Sequence, residues 1–285
     1  MKPETVVDVK CKIGEGPIWH PAEKRLYWVD IPDGAVFRYD PVAHRHEEVL
    51  RGELIGGYTI QQDGSLLLFM AKGAIRIWRN GELTTVVDEI PELGSTRFND
   101  VIADPSGRVF CGTMPDADGQ AYLYRLDTNG TIAMVLDGIG LSNGMGFTPD
   151  KQHMYHVDSK KHQISIFDYS QTDGSLSNRR VFLKLDKSDI EPDGMTVDAD
   201  GHVWVAFWNG GCVRRFDADA RQVLEIHFPA KKTTSMAFGG ERHDELYVTS
   251  AGGDNRPGDG AEAGALFRVG VGVPGLPEHL SRVCI

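Results

Sequence analysis

A chain of 285 residues holds one large domain or two small ones, and 41% apolar with 25% charged residues is the composition of an ordinary globular protein. A formal charge of −11 argues against nucleic acid or an anionic membrane as partner. No run approaches the ~18 apolar residues of a membrane helix, and Met1-Lys2-Pro3-Glu4-Thr5 lacks the apolar stretch of a secretion signal. Cys11, Cys111, Cys212 and Cys284 are far apart and form no C-x-x-C pair, which fits reduced thiols and a cytoplasmic location.

The first extended segment, Thr5-Val6-Val7-Asp8-Val9, has no hairpin partner nearby. One pattern then recurs at intervals of about 42 to 50 residues. A small polar position leads an apolar run, a turn follows, and a second apolar run comes after it. The first copy is Glu15 with Pro17-Ile18-Trp19-His20, then Leu26-Tyr27-Trp28-Val29. The second is Gly57 with Tyr58-Thr59-Ile60, then Leu66-Leu67-Leu68-Phe69. The third is Asn99 with Val101-Ile102-Ala103, then Val109-Phe110-Cys111. The fourth is Asn143 with Met145-Gly146-Phe147, then Met154-Tyr155-His156-Val157. The fifth is Asp193 with Met195-Thr196-Val197, then Val203-Trp204-Val205-Ala206. The sixth is Ser235 with Met236-Ala237-Phe238, then Leu246-Tyr247-Val248-Thr249.

Turn sequences such as Gln62-Asp63-Gly64 and Asp104-Pro105-Ser106-Gly107 separate the runs, because aspartate and glycine accept tight-turn backbone angles. Third strands with alternating polarity follow, as in Tyr122-Leu123-Tyr124-Arg125, and outer strands are expected at residues 47–50, 84–87, 132–135, 181–183 and 223–226. No helix of ordinary length is evident. Six copies of a four-stranded pattern predict an all-β fold, a six-bladed β-propeller of antiparallel blades, as a single domain over residues 1–285. Residues 5–9 are expected to supply the outer strand of the last blade, where the chain runs out after Phe267-Arg268-Val269. The glycine-rich residues 252–260 read as a rim loop.

In a propeller the first strands line the centre, so the leading positions share one end of it. Glu15, Asn99, Asn143 and Asp193 would then face one another. Two carboxylates and two amides in a partly enclosed space need compensation. A divalent cation supplies it, and hard oxygen donors suit Ca²⁺, Mg²⁺ or Mn²⁺ better than structural zinc. Asp193 is both a candidate ligand and a candidate base for activating water. There is no G-x-S-x-G elbow to suggest an acyl-enzyme.

Gly14-Glu15-Gly16-Pro17-Ile18-Trp19, Arg97-Phe98-Asn99-Asp100, Cys111-Gly112-Thr113-Met114, Ser142-Asn143-Gly144, Ser177-Asn178-Arg179-Arg180, Pro192-Asp193-Gly194-Met195 and Phe238-Gly239-Gly240 resemble the gluconolactonase and regucalcin family, in order and over nearly the whole chain. The resemblance implies a six-bladed propeller with one catalytic divalent metal that hydrolyses sugar lactones. It implies Glu15, Asn143 and Asp193 as metal ligands, with Arg97 and Asn99 against the substrate's hydroxyls. An acidic contact that the family places after the Gly-Thr-Met motif falls here in the shortened Pro115-Asp116-Ala117-Asp118, at Asp116 or Asp118. Ca²⁺ is the first choice of cofactor, with Zn²⁺, Mn²⁺, Mg²⁺ and Fe²⁺ left open.

The expected partner is a small-molecule sugar lactone, with the chain a monomer or weak homo-oligomer. The competing readings are a calcium-dependent phosphotriester or ester hydrolase and a non-catalytic calcium-binding propeller. Trp208 offers either a sugar-stacking face or blade packing. Among the strand histidines, His156 in Tyr155-His156-Val157-Asp158 stands out because it lies near the channel-proximal hairpin of the fourth blade. Lys231 and Lys232 read as solvated charges.

Overall fold

The computed structural model describes residues 1–188 and 190–284. The chain forms six four-stranded antiparallel sheets, the blades of a six-bladed β-propeller. Glu4–Val7 is β1. The first blade holds Gly14–His20 (β2), Arg25–Asp30 (β3), Ala35–Asp40 (β4) and Arg45–Arg51 (β5). The second holds Ile55–Ile60 (β6), Leu66–Met70 (β7), Ile75–Arg79 (β8) and Glu82–Val87 (β9). The third holds Phe98–Ala103 (β10), Val109–Thr113 (β11), Ala121–Leu126 (β12) and Ile132–Ile139 (β13). The fourth holds Ser142–Phe147 (β14), His153–Asp158 (β15), Gln163–Tyr169 (β16) and Leu176–Lys184 (β17). The fifth holds Glu191–Val197 (β18), Val203–Trp208 (β19), Cys212–Phe216 (β20) and Gln222–His227 (β21). The sixth holds Lys232–Gly239 (β22), Glu245–Ala251 (β23) and Leu266–Gly270 (β24). Among the described residues, helix is limited to the turns Pro91–Leu93 and Arg256–Asp259 (α1), the latter inside the glycine-rich loop.

The blades group into two compact units. One comprises Met1–Glu53 and Asp186–Pro277, the other Leu54–Leu185 and Glu278–Ile285. The first unit therefore carries blades one, five and six, and the second carries blades two, three and four.

In the first unit, β1 completes the sixth blade by pairing with β24, Glu4 opposite Arg268 and Thr5 opposite Phe267. The outer strand of this last blade thus comes from the other end of the sequence, as expected. The join is reinforced by ion pairs from Arg268 to Glu4 at 3.0 Å and from Arg256 to Asp8 at 3.0 Å. Apolar side chains fill both flanks of the sixth blade. Trp204 meets Phe238 edge-on at 5.9 Å on one side, and Trp19 stacks on Tyr247 at 6.2 Å on the other. In the second unit the third blade is similarly flanked. Phe69, Phe98 and Tyr124 pack on one side, and Phe110, Phe147 and Tyr169 on the other.

Burial falls from the first strand of a blade to the last. Every residue of β6, β7 and β14 is buried, whereas β5 and β9 are exposed or half-buried throughout. Burying each apolar side chain of the inner strands contributes about 1.5–3 kcal/mol. The outer edges carry charged side chains that discourage pairing with another chain.

Hairpin turns repeat one device. Asp104 accepts the N–H groups of Ser106 and Arg108 on its carboxylate, and Gly107 closes the turn at φ 86°. Asp198 does the same for Asp200 and His202, with Gly201 at φ 81°.

Candidate active site

All six first strands are interrupted at corresponding places. The register against the second strand shifts between Glu15 and Ile18, Ile55 and Gly57, Phe98 and Val101, Ser142 and Met145, Pro192 and Met195, and Thr233 and Met236. A bulge releases a residue from ladder pairing and re-aims its side chain. Asn99, Asn143, Asp193 and Ser235 lie inside these bulges, while Glu15 and Gly57 stand at the margins of theirs. The repeat read from the sequence is therefore a repeat of irregularities.

The first unit brings Glu15, Asp193 and Ser235 onto neighbouring strands. Thr234 Oγ1 donates to the carbonyl of Gly14 at 2.6 Å, which ties β22 to β2 beside Glu15. On the other side, a Cβ on Gly194 would stand 2.6 Å from that of Ser235, so glycine is required where β18 passes β22. Asp193 and Ser235 are each 6% exposed, and Glu15 is half-buried with the Gly16 N–H on its Oε2 at 3.1 Å.

The second unit brings Gly57, Asn99 and Asn143 onto neighbouring strands. A Cβ at Gly57 would meet the Asn99 carbonyl at 2.7 Å, so only glycine fits there. Asn99 is oriented on both ends of its amide: Nδ2 donates to the Ser142 carbonyl at 3.0 Å, and Oδ1 accepts from Arg97 at 2.9 Å. The same Arg97 nitrogen donates to the Phe98 carbonyl at 2.8 Å. Asn143 is 6% exposed, and its Nδ2 donates to Ser159 Oγ at 3.1 Å. That bond turns the amide so that the carbonyl oxygen points the other way.

The loop at residues 115–118 hangs beside Arg97, whose carbonyl accepts the Met114 N–H at 3.0 Å. The two acids in it differ. Asp116 accepts the N–H groups of Asp118 and Gln120 at 2.9 Å each and the Tyr122 hydroxyl at 3.0 Å. The backbone bond from Gln120 leads the effects holding its pKa below the usual carboxylate value. Asp118 is exposed on the same loop.

Four features were not evident from sequence. Lys232 is not a solvated charge. Its Nζ lies 2.8 Å from Asp259 and 5.2 Å from the centroid of Trp208. One face of Trp208 is thereby covered, and the glycine-rich loop is anchored through Asp259 of α1. Ser159 orients Asn143, as described above. The hydroxyl of Ser142 lies 2.8 Å from His156 Nε2. Asp100 and Glu278 are a half-buried acidic pair, with pKa values pushed up to about 6 and about 7 by burial and, for Glu278, also by Asp100.

A donor cluster lies elsewhere in the first unit, where Asp198, Asp200 and His202 each place one ligand atom within 4.8 Å of the others. Asp198 there also accepts Trp204 Nε1 and Arg215 Nε at 2.8 Å each. Its charge is already met by a guanidinium, which would repel a cation. Asp104 with Arg108 and Tyr169 repeats the arrangement, marking it as a turn of the fold.

The family model described as SMP-30/Gluconolactonase/LRE-like region matches residues 13–252. The chain is 47% identical to pentonolactonase XacC of Haloferax volcanii, across 98% of this chain and 97% of that one. It is 33% identical to regucalcin of Homo sapiens, across 98% of each. Among solved structures it resembles a calcium-binding protein, regucalcin, from Agrobacterium tumefaciens, with a TM-score of 0.90 at 26% identity over 98% of this chain and 97% of that one. With its propeller fold, its six bulges and these matches, the chain belongs to the SMP-30/gluconolactonase/LRE-like family.

Proposed function

We propose that the chain is a sugar lactonase, a hydrolase that opens an aldonolactone to its aldonic acid with one divalent cation held by Glu15, Asn143 and Asp193. What carries the reading is the recurrence of oxygen-bearing side chains in or beside the bulges of the first strands. The donor set fits a hard cation: two carboxylates and an amide whose nitrogen is engaged by Ser159. Ca²⁺ is the first choice, with Mg²⁺, Mn²⁺, Zn²⁺ and Fe²⁺ as alternatives. The 47% identity to a protein named pentonolactonase makes a five-carbon lactone the first substrate to assay.

When bound, the cation supplies Lewis-acid polarisation of the lactone carbonyl. Asp193 takes a proton from the attacking water. The water oxygen bonds to the carbonyl carbon, the bond from that carbon to the ring oxygen breaks, and the ring oxygen leaves as a hydroxyl carrying the proton. Arg97 and Asn99, locked to each other and to the backbone, orient the sugar hydroxyls. Asp118 is better placed than Asp116 to add an acidic contact, because Asp116 already holds its own loop. In this reading the protein works in cytoplasmic sugar catabolism as a monomer or weak homo-oligomer, on a small molecule rather than nucleic acid or a membrane.

The test is acid release in a pH-stat from pentono- and hexonolactones, after chelation and after adding each metal back. The expected result is metal-restored hydrolysis of at least one lactone. No hydrolysis of any lactone with any metal would sink the reading. Cation binding without hydrolysis would favour a binding propeller, and hydrolysis of phosphotriesters alone would favour that chemistry.

A further inference from the structure

The end of β15 and the turn after it hold four successive residues at the start of β14. Asp158 accepts the N–H groups of Gly140 and Leu141 at 3.1 and 3.3 Å. His156 meets the Ser142 hydroxyl at 2.8 Å, and Ser159 accepts from Asn143. Of these, the His156 bond is the least explained by folding alone. The ring is fully buried, and its Nδ1 has no hydrogen-bond partner.

The bonding pattern assigns the tautomer. Burial lowers the pKa of His156 to about 4, so the ring is neutral at working pH. A buried N–H without an acceptor is rarer and costlier than a buried lone pair without a donor. The proton therefore sits on Nε2, and His156 donates to Ser142 Oγ. Ser142 is also pressed against Gly112, where a Cβ would stand 2.7 Å from the serine Cβ. The hydroxyl is thus clamped between a glycine and an imidazole, and the carbonyl of the same residue carries Asn99.

We propose that His156 is a positioning residue: by fixing Ser142 it sets the amides of Asn99 and Asn143 in one register, so that substrate contact and cation ligand are held together. The inference rests on the lactonase reading for the roles of those two amides. A hydroxyl clamp in the first unit does comparable work by other means. Thr249 lies 2.9 Å from Thr234, which donates to the Gly14 carbonyl next to Glu15. In each unit the hydroxyl stands one residue before the repeat position, Ser142 before Asn143 and Thr234 before Ser235, which fits a role in aiming the side chain that follows.

The experiment compares wild type with His156→Phe, His156→Gln, Ser142→Ala and the Ser142→Ala/His156→Phe double variant. Two quantities are read: Kd for Mn²⁺ alone, without substrate, and KM for the lactone opened. His156→Phe keeps the ring volume but loses the donor. It is expected to weaken Mn²⁺ binding and raise KM by about tenfold each. His156→Gln keeps an N–H donor and is expected to recover most of both. Adding His156→Phe to Ser142→Ala is expected to cost nothing further, because both act through one bond. Mn²⁺ Kd and KM within twofold of wild type in a folded His156→Phe chain would overturn the proposal, as would additive losses in the double variant. If His156→Phe does not fold, Ser142→Ala and His156→Gln decide instead: tenfold losses in Ser142→Ala beside near-wild-type values in His156→Gln uphold it, and any other result overturns it. Wild type that binds Mn²⁺ but opens no lactone would overturn the lactonase reading alone, leaving the Kd series to judge His156. A wild type that neither binds Mn²⁺ nor opens a lactone would overturn both.

Discussion

The two three-bladed units present different chemistry from the same backbone device. The first offers acids and a hydroxyl at its bulges: Glu15, Asp193 and Ser235. The second offers amides and a glycine, Asn99, Asn143 and Gly57, with Arg97 alongside. In the proposed reaction, the unit with carboxylates would supply charge and a proton acceptor. The unit whose amides are pinned on a neighbouring hydroxyl and carbonyl would supply direction. Under the lactonase proposal, charge and aim are then separable contributions.

The sharpest way to break that division is to give the first unit an amide. Asp193→Asn keeps the shape and an oxygen donor but removes the base, and kcat is expected to fall by about 10³-fold or more. Steady-state rates with saturating metal check it, and a loss below tenfold would move the base elsewhere. Next in size is removal of residues 1–10, which strips β1 from β24 in the first unit. A fall of several kcal/mol in unfolding free energy is expected by denaturant titration, because one of the sixth blade's three strand pairings is lost; an unchanged midpoint would show that the sixth blade stands without it.

In the second unit, Arg97→Lys loses the planar fork that holds Asn99. KM is expected to rise about tenfold while Mn²⁺ Kd stays within twofold, which would confine Arg97 to the aiming half. The smallest effect concerns Asp100 and Glu278. Both hold their protons more tightly in the folded chain than in the unfolded one, where the reference values are 3.8 and 4.5. Their stabilising contribution is therefore full below about pH 4 and is lost as pH rises through about 6 and about 7. Glu278→Gln is expected to raise stability by about 1–2 kcal/mol at pH 8, and by little at pH 5, in melting experiments. A gain that is equal at both pH values would remove the acidic pair as its cause.

Much of this architecture was legible in the sequence because its signals are local. Alternating polarity in β12 and the Asp-x-x-Gly turns each occupy a few consecutive residues, and repetition multiplied them. The unpaired run after Thr5 betrayed the shared sixth blade, since a strand without a neighbour must find one elsewhere. The bulges were not legible. A register shift depends on two strands at once, and Glu15-Gly16 or Asn143-Gly144 reads equally well as an ordinary turn. Nor could spacing reveal that Ser159 aims Asn143 or that Asp259 reaches Lys232, because those contacts depend on where loops return in space. Lys232 was misread for that reason: a lysine beside another lysine looks solvated until its acidic partner is found in α1.

The bulges also bear on how such a chain changes. Ladder pairing on either side proceeds whatever residue stands in the gap, so Asn99, Asn143, Asp193 and Ser235 are insulated from the sheets that carry them. Glu15 and Gly57 stand in the ladder itself, opposite Val29 and Phe69, and at Gly57 the Asn99 carbonyl leaves no room for a side chain. With four insulated addresses and one fixed spacer, the chemistry of the scaffold can be rewritten one letter at a time while the strands around it stay the same.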